Sequence, residues 1–414
     1  MTLPITAIGA GGDGISEHNG KPVYVPKTTA GDVVEIRVEK ENADGIQARL
    51  LKIETPSPNR VTPPCPYFDR CGGCALQHIN DNTYKNWKTE KVLQNLQRAG
   101  VEIETLEETV FLPANTRRRT TMVGFKTGKD IHFGYFEYRS HNIVDTKTCL
   151  ILEPELDAKM QALRAYLPRL LPYQKPIDFM MQHIDGTFDL VITGIKNPKL
   201  EQLEAFAELA EALDIARISI CEREFATPEI LFTRTPVRKK FGDIQVTLPP
   251  GTFLQASVAG ENALTQIVSR YAKGRLKVAD LFCGSGTFTG TLLQNNMAVH
   301  AIDGDYDAMQ ALGAVKHKNL TTERRNLFKE PLSTKELSAF DGVVIDPPRA
   351  GAKAQIENLA QSNVAKIIAV SCNPATFARD AETLQDAGYG LSSLTIVDQF
   401  VWSAHVETVA LFTA

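Results

Sequence analysis

The C-terminal part of the chain alternates short apolar segments with longer amphipathic ones, and this alternation most restricts the possible fold. Six segments between residues 276 and 412 have the composition of buried strands: "LKVADLF", "MAVHAID", "DGVVID", "AKIIAVSC", "LSSLTIV" and "VETVALF". Strands separated by helices pack as a mostly parallel sheet with helices on both faces. Because such sheets bind ligands at the carboxyl ends of their strands, the residues that end these segments are candidates for a functional site.

Length and composition indicate a multidomain intracellular protein. A chain of 414 residues is too long for one ordinary core. Its seven cysteines, an odd and scattered number, do not resemble a secreted disulfide framework. The sequence shows neither a signal-peptide pattern at its start nor a run of about 18 apolar residues. We therefore expect a cytoplasmic protein with reduced thiols and no membrane partner.

Three basic runs leave nucleic acid open as a partner, although the formal net charge is −4. They are "NTRRRT" at 115–120, "VRKKFG" at 237–242 and "ERRN" at 323–326. Nucleic-acid binding depends on local patches rather than on the total charge. The alternative for each run is an ordinary solvated surface.

The pattern along the chain predicts three domains. Residues 1–57 contain short β-rich runs separated by Gly, Pro and Asp turns, which predicts a small barrel of oligonucleotide-binding (OB) type. Residues 58–250 are mixed α and β, with a helix at 84–98. Residues 251–414 hold the alternating strands and helices described above.

A Gly-rich turn follows the first of these strands in "VADLFCGSGTFTG" at 278–290. Glycine lets the backbone approach a ligand closely, and Asp303 at the end of the next strand can accept hydrogen bonds from ribose hydroxyls. The turn lacks the P-loop Gly-Lys-Ser/Thr, and Thr289 stands where a full G-x-G-x-x-G would have glycine, so an adenosine-type cofactor fits it better than a dinucleotide. Taken alone, a purely structural tight turn explains it equally well. Asp346, in "VVIDPPRAGA", ends another strand at the same edge.

A cysteine ends the next strand, in "AVSCNPATFARD" at 369–380. Asn373 and Pro374 are good first residues for a helix, so Cys372 should precede a helix N-terminus. The partial positive charge there is expected to lower the pKa of the thiol and favour a nucleophilic thiolate. The alternative is an inert buried cysteine.

These motifs resemble the S-adenosylmethionine-dependent RNA uracil-5-methyltransferases. "DLFCGSGTF", "DPPRAG", "SCNPATFARD" and "HVETVALF" carry the resemblance, in the family's order. "CPYFDRCGGCALQH" at 65–78 is similar to the cysteine motif of the branch that acts on 23S ribosomal RNA. The resemblance implies a Rossmann-like class I methyltransferase domain, an α+β central domain with a [4Fe-4S] cluster, and an N-terminal OB/TRAM-like barrel that binds RNA.

The resemblance also assigns roles to individual residues. It implies that Cys372 is the nucleophile that adds to C6 of uracil and that Glu407 removes the C5 proton, although an exposed strand carboxylate is the simpler explanation of Glu407 alone. It also implies that the helix at 84–98 packs with the catalytic domain. The residues expected to line the pocket for S-adenosylmethionine and the base are Gln255, Phe282, Thr287, Asp303, Asn326 and Asp346.

Three thiols in ten residues, from Cys65, Cys71 and Cys74, need a fourth ligand for a tetrahedral site or a cubane. Cys149, after a predicted hairpin, is the best candidate and matches the place of the family's fourth ligand. We expect a [4Fe-4S] cluster, with zinc as the second choice because the spacing departs from paired C-x2-C knuckles. His78 is expected to pack or hydrogen-bond rather than to bind metal.

Several alternatives remain open at this point. The target could be a transfer-RNA T-loop uridine or an RNA cytosine instead of a 23S uridine. A different class, a non-catalytic iron–sulfur protein that binds RNA or senses redox state, would lack methyl transfer. A monomer is expected in each case.

Overall fold

The N-terminal residues form a six-stranded sheet. The computed structural model describes residues 1–224 and 226–414. The strands of this sheet are β1 (Thr2–Pro4), β2 (Ala7–Ile8), β3 (Gly14–His18), β4 (Lys21–Val25), β5 (Val33–Asn42) and β6 (Gly45–Thr55). Their order is β1-β5-β6-β4-β3-β2, and only the β4–β6 pairing is parallel. The strand-rich prediction for this region agrees with the sheet. Its closure as a TRAM-like barrel stays a prediction, as do the domain boundaries.

Helix α1 (Asp81–Arg98) follows the cysteine-rich segment. The Asn80 side chain caps it by accepting a hydrogen bond from the Thr83 amide at 2.9 Å. The apolar face of α1 packs against the C-terminal helix Pro374–Asp386, and Val92 and Leu96 belong to the same buried core as that helix. The short strand β7 (Val110–Phe111) then joins the edge of the C-terminal sheet.

The central region is built on a seven-stranded sheet. Its strands are β8 (Arg119–Thr127), β9 (Asp130–Phe136), β10 (Ile143–Asp145), β11 (Ile177–Ile184), β12 (Thr187–Thr193), β13 (Arg217–Cys221) and β14 (Glu229–Thr233). Their order is β10-β9-β8-β11-β12-β13-β14, antiparallel except between β12 and β13. The helices of this region are α2 (Pro154–Ala162), the 3-10 helix Leu163–Ala165, α3 (Leu167–Leu170) and α4 (Leu200–Ala212).

The C-terminal region contains the mostly parallel sheet that the sequence predicts. It is preceded by the hairpin β15 (Arg238–Phe241) and β16 (Ile244–Thr247) and by helix α5 (Val258–Ala272). Its strands are β17 (Lys277–Leu281), β18 (Ala298–Asp303), β19 (Leu320–Arg324), β20 (Gly342–Ile345), β21 (Lys366–Ser371), β22 (Gly390–Asp398) and β23 (Glu407–Thr413). Its helices are α6 (Thr287–Gln294), α7 (Tyr306–Gly313), α8 (Thr334–Leu337), α9 (Lys353–Ala360) and α10 (Pro374–Asp386).

Strand order in this sheet is β19-β18-β17-β20-β21-β23-β22-β7. Strands β17 to β21 are parallel, whereas β23 runs antiparallel between β21 and β22. Both faces are covered: on β20, Val343 and Ile345 face one apolar core and Val344 faces the other. This two-sided burial explains why the predicted strands are continuously apolar.

In two of the three basic runs the central cation is buried, which corrects the expectation of a solvated or RNA-facing side chain for Arg118 and Lys239, whereas Arg238 and Lys240 are exposed. Arg118 is 1% exposed and pairs with Glu261 at 2.6 Å, and Lys239 pairs with the same carboxylate at 2.9 Å. A buried charge needs a partner, so these two cations are committed to Glu261 and link the residue before β8 and strand β15 to α5. In the third run, Arg325 pairs with Glu336.

Within the described residues, none of the helices has the combined length and apolarity that a membrane crossing requires.

A buried ion pair joins α1 to the end of β22. Lys88 Nζ lies 2.8 Å from Asp398 Oδ1, with both side chains at most 1% exposed. The Tyr84 hydroxyl donates to the other oxygen of Asp398, and the Phe400 amide donates to Oδ1 at 3.2 Å. Lys88 also donates to the carbonyls of Phe400 and His405. Together these contacts fix the loop between β22 and β23.

We predict that Lys88→Met destabilises the fold by about 3 kcal/mol, because it leaves the Asp398 carboxylate buried without its cation. Urea unfolding measures the loss. The matched control is Lys85→Met one turn away: Lys85 pairs with Asp81 on the exposed face of α1, and its removal should cost about 0.5 kcal/mol or less. Equal unfolding midpoints for the two variants would contradict the role assigned to the buried pair.

Candidate active site

Five strand ends of the C-terminal sheet place candidate side chains along one edge, four of them polar and one aromatic. Asp303 is the last residue of β18, Asp346 follows β20, and Cys372 follows β21. Glu407 begins β23, which runs in the opposite direction and therefore starts at this same edge. Phe282 follows β17 in a left-handed conformation, with φ of 61°. The edge is the one at which open α/β sheets bind ligands.

Cys372 and Glu407 are neighbours because their strands are paired. Ser371 is the register partner of Thr408 in the antiparallel β21–β23 ladder, and the two functional candidates lie one position beyond that pair. Glu407 is 6% exposed, while Cys372 is partly exposed. The thiol is therefore open to a substrate, and the carboxyl group beside it is shielded from water.

The helix start predicted after Cys372 is confirmed. Helix α10 begins at Pro374, and the Asn373 side chain accepts a hydrogen bond from the Ala375 amide at 3.2 Å. The Asn373 amide group also donates to the Arg349 carbonyl at 3.0 Å. This bond ties the Asp-Pro-Pro-Arg loop to the segment that carries the thiol.

The expected lowering of the Cys372 pKa is wrong. Burial is the largest cause of a shift in the opposite direction, and the charges of Glu407 and Asp346 add to it, raising the pKa of the thiol to about 11. Arg349 and a backbone hydrogen bond oppose this shift. The N-terminus of α10 lies where the sequence predicts, but two neighbouring acids and partial burial outweigh it.

Two carboxyl groups of the site, those of Glu407 and Asp346, also have raised pKa values. Burial, followed by the charge of Asp346, raises the pKa of Glu407 to about 8, against a smaller lowering by a hydrogen bond from Gln399. Burial raises the pKa of Asp346 to about 7. Near neutral pH these groups therefore hold protons for a larger fraction of the time than free carboxylic acids do. A general base works best when its pKa lies near the working pH, and both pKa values lie in that range.

The Gly-rich turn and Asp303 are joined by hydrogen bonds. The Gly284 amide donates to one oxygen of Asp303 at 2.9 Å, and the Asp305 amide donates to the other at 2.8 Å. Each oxygen keeps a further lone pair for ligand hydroxyls. Thr287 is the first residue of α6, directly after Gly286, whose φ of 98° favours glycine. These residues form a cradle at the ends of β17 and β18.

The remaining two pocket candidates differ in their surroundings. Asn326 follows β19, close to the turn after Asp303, and its side-chain oxygen accepts hydrogen bonds from the amides of Phe328 and Lys329. That oxygen is therefore used in a local turn. Gln255 lies before α5 on the Glu407 side of the site, and its side-chain oxygen accepts a hydrogen bond from Gln399 at 2.8 Å.

The four cysteines predicted to bind metal line one cavity. Cys65, Cys71, Cys74 and Cys149 are all free thiols that contribute to its wall. Backbone contacts bring the two segments together: the Gly72 amide donates to the Phe136 carbonyl at 2.9 Å, next to β10 and Cys149. Burial, with smaller contributions from the other three thiols, raises the pKa of Cys74 to about 12.

A four-thiol donor set suits zinc or an iron–sulfur cluster. In the described part of the chain, no three Cys, His, Asp or Glu side chains already converge as a metal site. The fit of a metal centre therefore depends on the shared cavity and on the chemistry of its donors. His78, which the sequence predicts to pack or hydrogen-bond rather than to bind metal, is buried against Phe68, with ring centroids 5.6 Å apart.

Comparison with known proteins identifies the family. The family described as tRNA (Uracil-5-)-methyltransferase matches residues 83–414, which include every strand of the C-terminal sheet. The chain belongs to this family. The protein is thus an S-adenosylmethionine-dependent RNA (uracil-5-)-methyltransferase, and the cradle and thiol described above lie in its matched region.

Relatives resemble this methyltransferase over nearly its whole length. An uncharacterized RNA methyltransferase of Caulobacter vibrioides is 40% identical, covering 99% of each chain. The 23S rRNA (uracil(1939)-C(5))-methyltransferase RlmD of Pectobacterium atrosepticum is 29% identical, covering 100% of this chain and 93% of its own. The crystal structure of the Pyrococcus abyssi tRNA (uracil-54, C5)-methyltransferase with S-adenosyl-L-homocysteine has the same fold, with a TM-score of 0.75, 23% identity and full coverage of both chains.

Two residues that support the active site of the methyltransferase, Gln399 and Lys88, were not predicted from the sequence motifs. Gln399 donates to both Glu407 and Gln255, and Lys88 holds the loop that begins at Gln399. Lys88 acts through partners more than three hundred residues away, and Gln399 links Glu407, eight residues away, to Gln255, 144 residues away, so no local spacing marks either side chain. The only available signal was the position of Gln399 directly after the apolar strand β22.

We predict that Glu407→Gln increases the free energy of unfolding relative to the wild type, and that this increase is larger at pH 8 than at pH 4.5. With a folded pKa near 8 and an ordinary value of 4.5, Glu407 keeps its proton in the folded state while the unfolded chain releases it. Its contribution to stability therefore falls as the pH rises through this window. Between these two pH values, the free energy of unfolding of the variant should increase relative to that of the wild type by on the order of a few kcal/mol.

Thermal unfolding of both proteins at the two pH values measures this gain. Glu382→Gln, at an exposed position of α10, is the matched control and should follow the wild type. A Glu407→Gln variant that also follows the wild type at both pH values would show that the carboxyl group ionises normally.

Proposed function

We propose that this methyltransferase modifies C5 of a uridine in 23S ribosomal RNA, with Cys372 as nucleophile and Glu407 as general base. The observation that carries the proposal is the adjacency of a partly exposed thiol and a buried carboxyl group, fixed by the Ser371–Thr408 pairing. Family membership supplies the reaction class, and the full-length similarity to RlmD supports the ribosomal substrate.

The role proposed for Cys372 follows from the low reactivity of uracil. C5 of the ring is a poor nucleophile. The Cys372 thiol, with its pKa raised to about 11, first loses its proton to water, and addition of the resulting thiolate at C6 places negative charge on C5 and O4. That carbon can then accept a methyl group. S-adenosylmethionine, when bound, supplies this group from its sulfonium sulfur. The residues proposed to hold it are Thr287 and Asp303 of the cradle, together with Phe282 after β17 and Asn326 after β19.

The role proposed for Glu407 follows from the next requirement. After methylation, C5 still carries its proton, which must leave before the bond from C6 to Cys372 can break. Loss of the proton re-forms the C5–C6 double bond and releases the thiolate. Glu407 needs to be ionised to accept this proton, so the rate of release should increase as the pH rises through about 8.

We predict that Cys372→Ala abolishes methyl transfer, because no other group makes C5 nucleophilic. Glu407→Gln should still form the bond to RNA and should accumulate a covalent RNA–protein adduct that survives a denaturing gel. The control is Cys221→Ser, a buried thiol on β13 that contacts Thr193 and should retain activity. Methylation by Cys372→Ala would refute the nucleophile, and wild-type release by Glu407→Gln would refute the base.

The RNA target is tested separately. We predict that 23S rRNA lacking its own 5-methyluridines acquires one when incubated with the protein and labelled S-adenosylmethionine, whereas an unmodified transfer-RNA transcript does not. The transfer-RNA alternative remains because the Pyrococcus abyssi enzyme of the same fold is named for uracil 54 of tRNA. Methylation of the transfer RNA alone would overturn the ribosomal assignment, and 5-methylcytidine would overturn the base assignment.

We further propose that Cys65, Cys71, Cys74 and Cys149 hold a [4Fe-4S] cluster. The cavity that they share and the absence of a disulfide among them support this proposal. Cys65, Cys71 and Cys74 supply only three thiol ligands, and Cys149 supplies the fourth. Because Cys149 belongs to the central region, the metal centre would join the 65–74 segment to the central sheet.

We predict that anaerobically prepared protein is brown and contains about four iron atoms per chain. Cys149→Ser should lose most of this iron, and Cys221→Ser should keep it. Colourless protein that binds one zinc ion would contradict the iron assignment while keeping the ligand set.

A further inference from the structure

Gln399 lies beside Glu407 because two antiparallel strands meet there. Val397 of β22 is the register partner of Glu407 in β23, and Gln399 follows β22 by one residue. Its side chain is 6% exposed. Its amide nitrogen donates to Glu407 Oε1 at 3.2 Å and to Gln255 Oε1 at 2.8 Å. One side-chain amide thus connects two residues of the candidate active site.

The backbone of Gln399 is held in place from both sides. The preceding residue, Asp398, is paired with Lys88, and the amide of the following residue, Phe400, donates to the same carboxylate. Gly260 in the first turn of α5 leaves space for the side chain. A Cβ atom on Gly260 would lie 2.4 Å from Gln399 Oε1 and 3.0 Å from its Cβ.

We propose that Gln399 is a positioning residue for the base step: it orients the Glu407 carboxylate toward the substrate and links it to Gln255. The inference rests on the proposed role of Glu407. No motif singles out Gln399, and its place in the site depends on the geometry described here.

An ionised Glu407 favours the observed orientation of this amide. A carboxylate can only accept hydrogen bonds, and the Gln399 NH₂ group supplies a donor for Glu407 and another for Gln255. If the amide were turned over, its oxygen would face two acceptor oxygens. In the observed orientation Oε1 faces Gly260 and has no hydrogen-bond partner among the described residues.

The hydrogen bond from Gln399 therefore favours the ionised form of Glu407. It acts against burial and against the charge of Asp346, which raise the pKa of Glu407. Cys372 is the other titratable group that faces Glu407, from the end of β21. On α5, which packs on the same strands, Glu261 is neutralised by Arg118 and Lys239. Gln399 is thus the donor that stabilises the proposed base.

The test compares Gln399→Leu with the wild type in single-turnover reactions on RNA that the wild type methylates. Bond formation to RNA is followed separately from release of methylated product, between pH 6.5 and 9.5. We expect release to slow about tenfold, as for loss of one hydrogen bond to a charged group, and its apparent pKa to rise by about one unit. The rate of adduct formation should change less than twofold. Gln361→Leu, at an exposed position after α9, should match the wild type throughout.

A second variant covers the case in which Gln399→Leu does not fold. Gly260→Ala keeps the amide but crowds its oxygen, and alanine suits a helix, so the fold should persist. It should shift the release profile in the same direction. An unchanged pH profile of release in the folded variant, with Glu407→Gln still trapping an adduct, would overturn the role of Gln399. Normal release by Glu407→Gln would instead overturn the proposed base.

Discussion

The buried pair between Lys88 and Asp398 is the contact on which the arrangement of the site depends. It fastens α1 to the point where β22 ends and the loop to β23 begins. The same loop accepts hydrogen bonds from the cysteine-rich segment, since the amides of Ala75 and Leu76 both donate to the Trp402 carbonyl. A buried ammonium group needs all of its partners, so the helix, the loop and the segment next to Cys74 are held as one unit.

The direction of β23 determines where the base candidate lies. In a wholly parallel sheet its first residue would lie at the opposite edge from Cys372. Because β23 runs antiparallel between β21 and β22, it begins at the ligand edge, and Glu407 comes to lie beside both Cys372 and Gln399. Along the same edge, the cradle of β17 and β18 lies two to three strands from Cys372 on β21 and three to four strands from Glu407 on β23. This spacing separates the proposed cofactor residues from the proposed base within one site.

Sequence patterns predicted the features that depend on local chemistry. The parallel strands, the start of α10 at Pro374 and the placement of Asp303 at a strand end all follow from composition and capping. Long-range packing determined the rest. Arg118 appears as a surface cation in the sequence, yet it pairs with Glu261 across 143 residues. The pKa of Cys372 rises because folding brings Glu407 and Asp346 next to it, which no local motif reveals.

The central claim is that Cys372 makes a covalent bond to C6 of the target uridine. RNA carrying 5-fluorouridine at the modified position tests it most directly. A fluorine atom replaces the C5 proton that the base would remove, so release is blocked and the adduct should persist with the unaltered protein. Digestion of the complex followed by mass spectrometry should place a methylated fluorouridine nucleotide on the peptide that contains Cys372. A nucleotide attached to a different residue, or methylated RNA recovered without any attached peptide, would contradict the account.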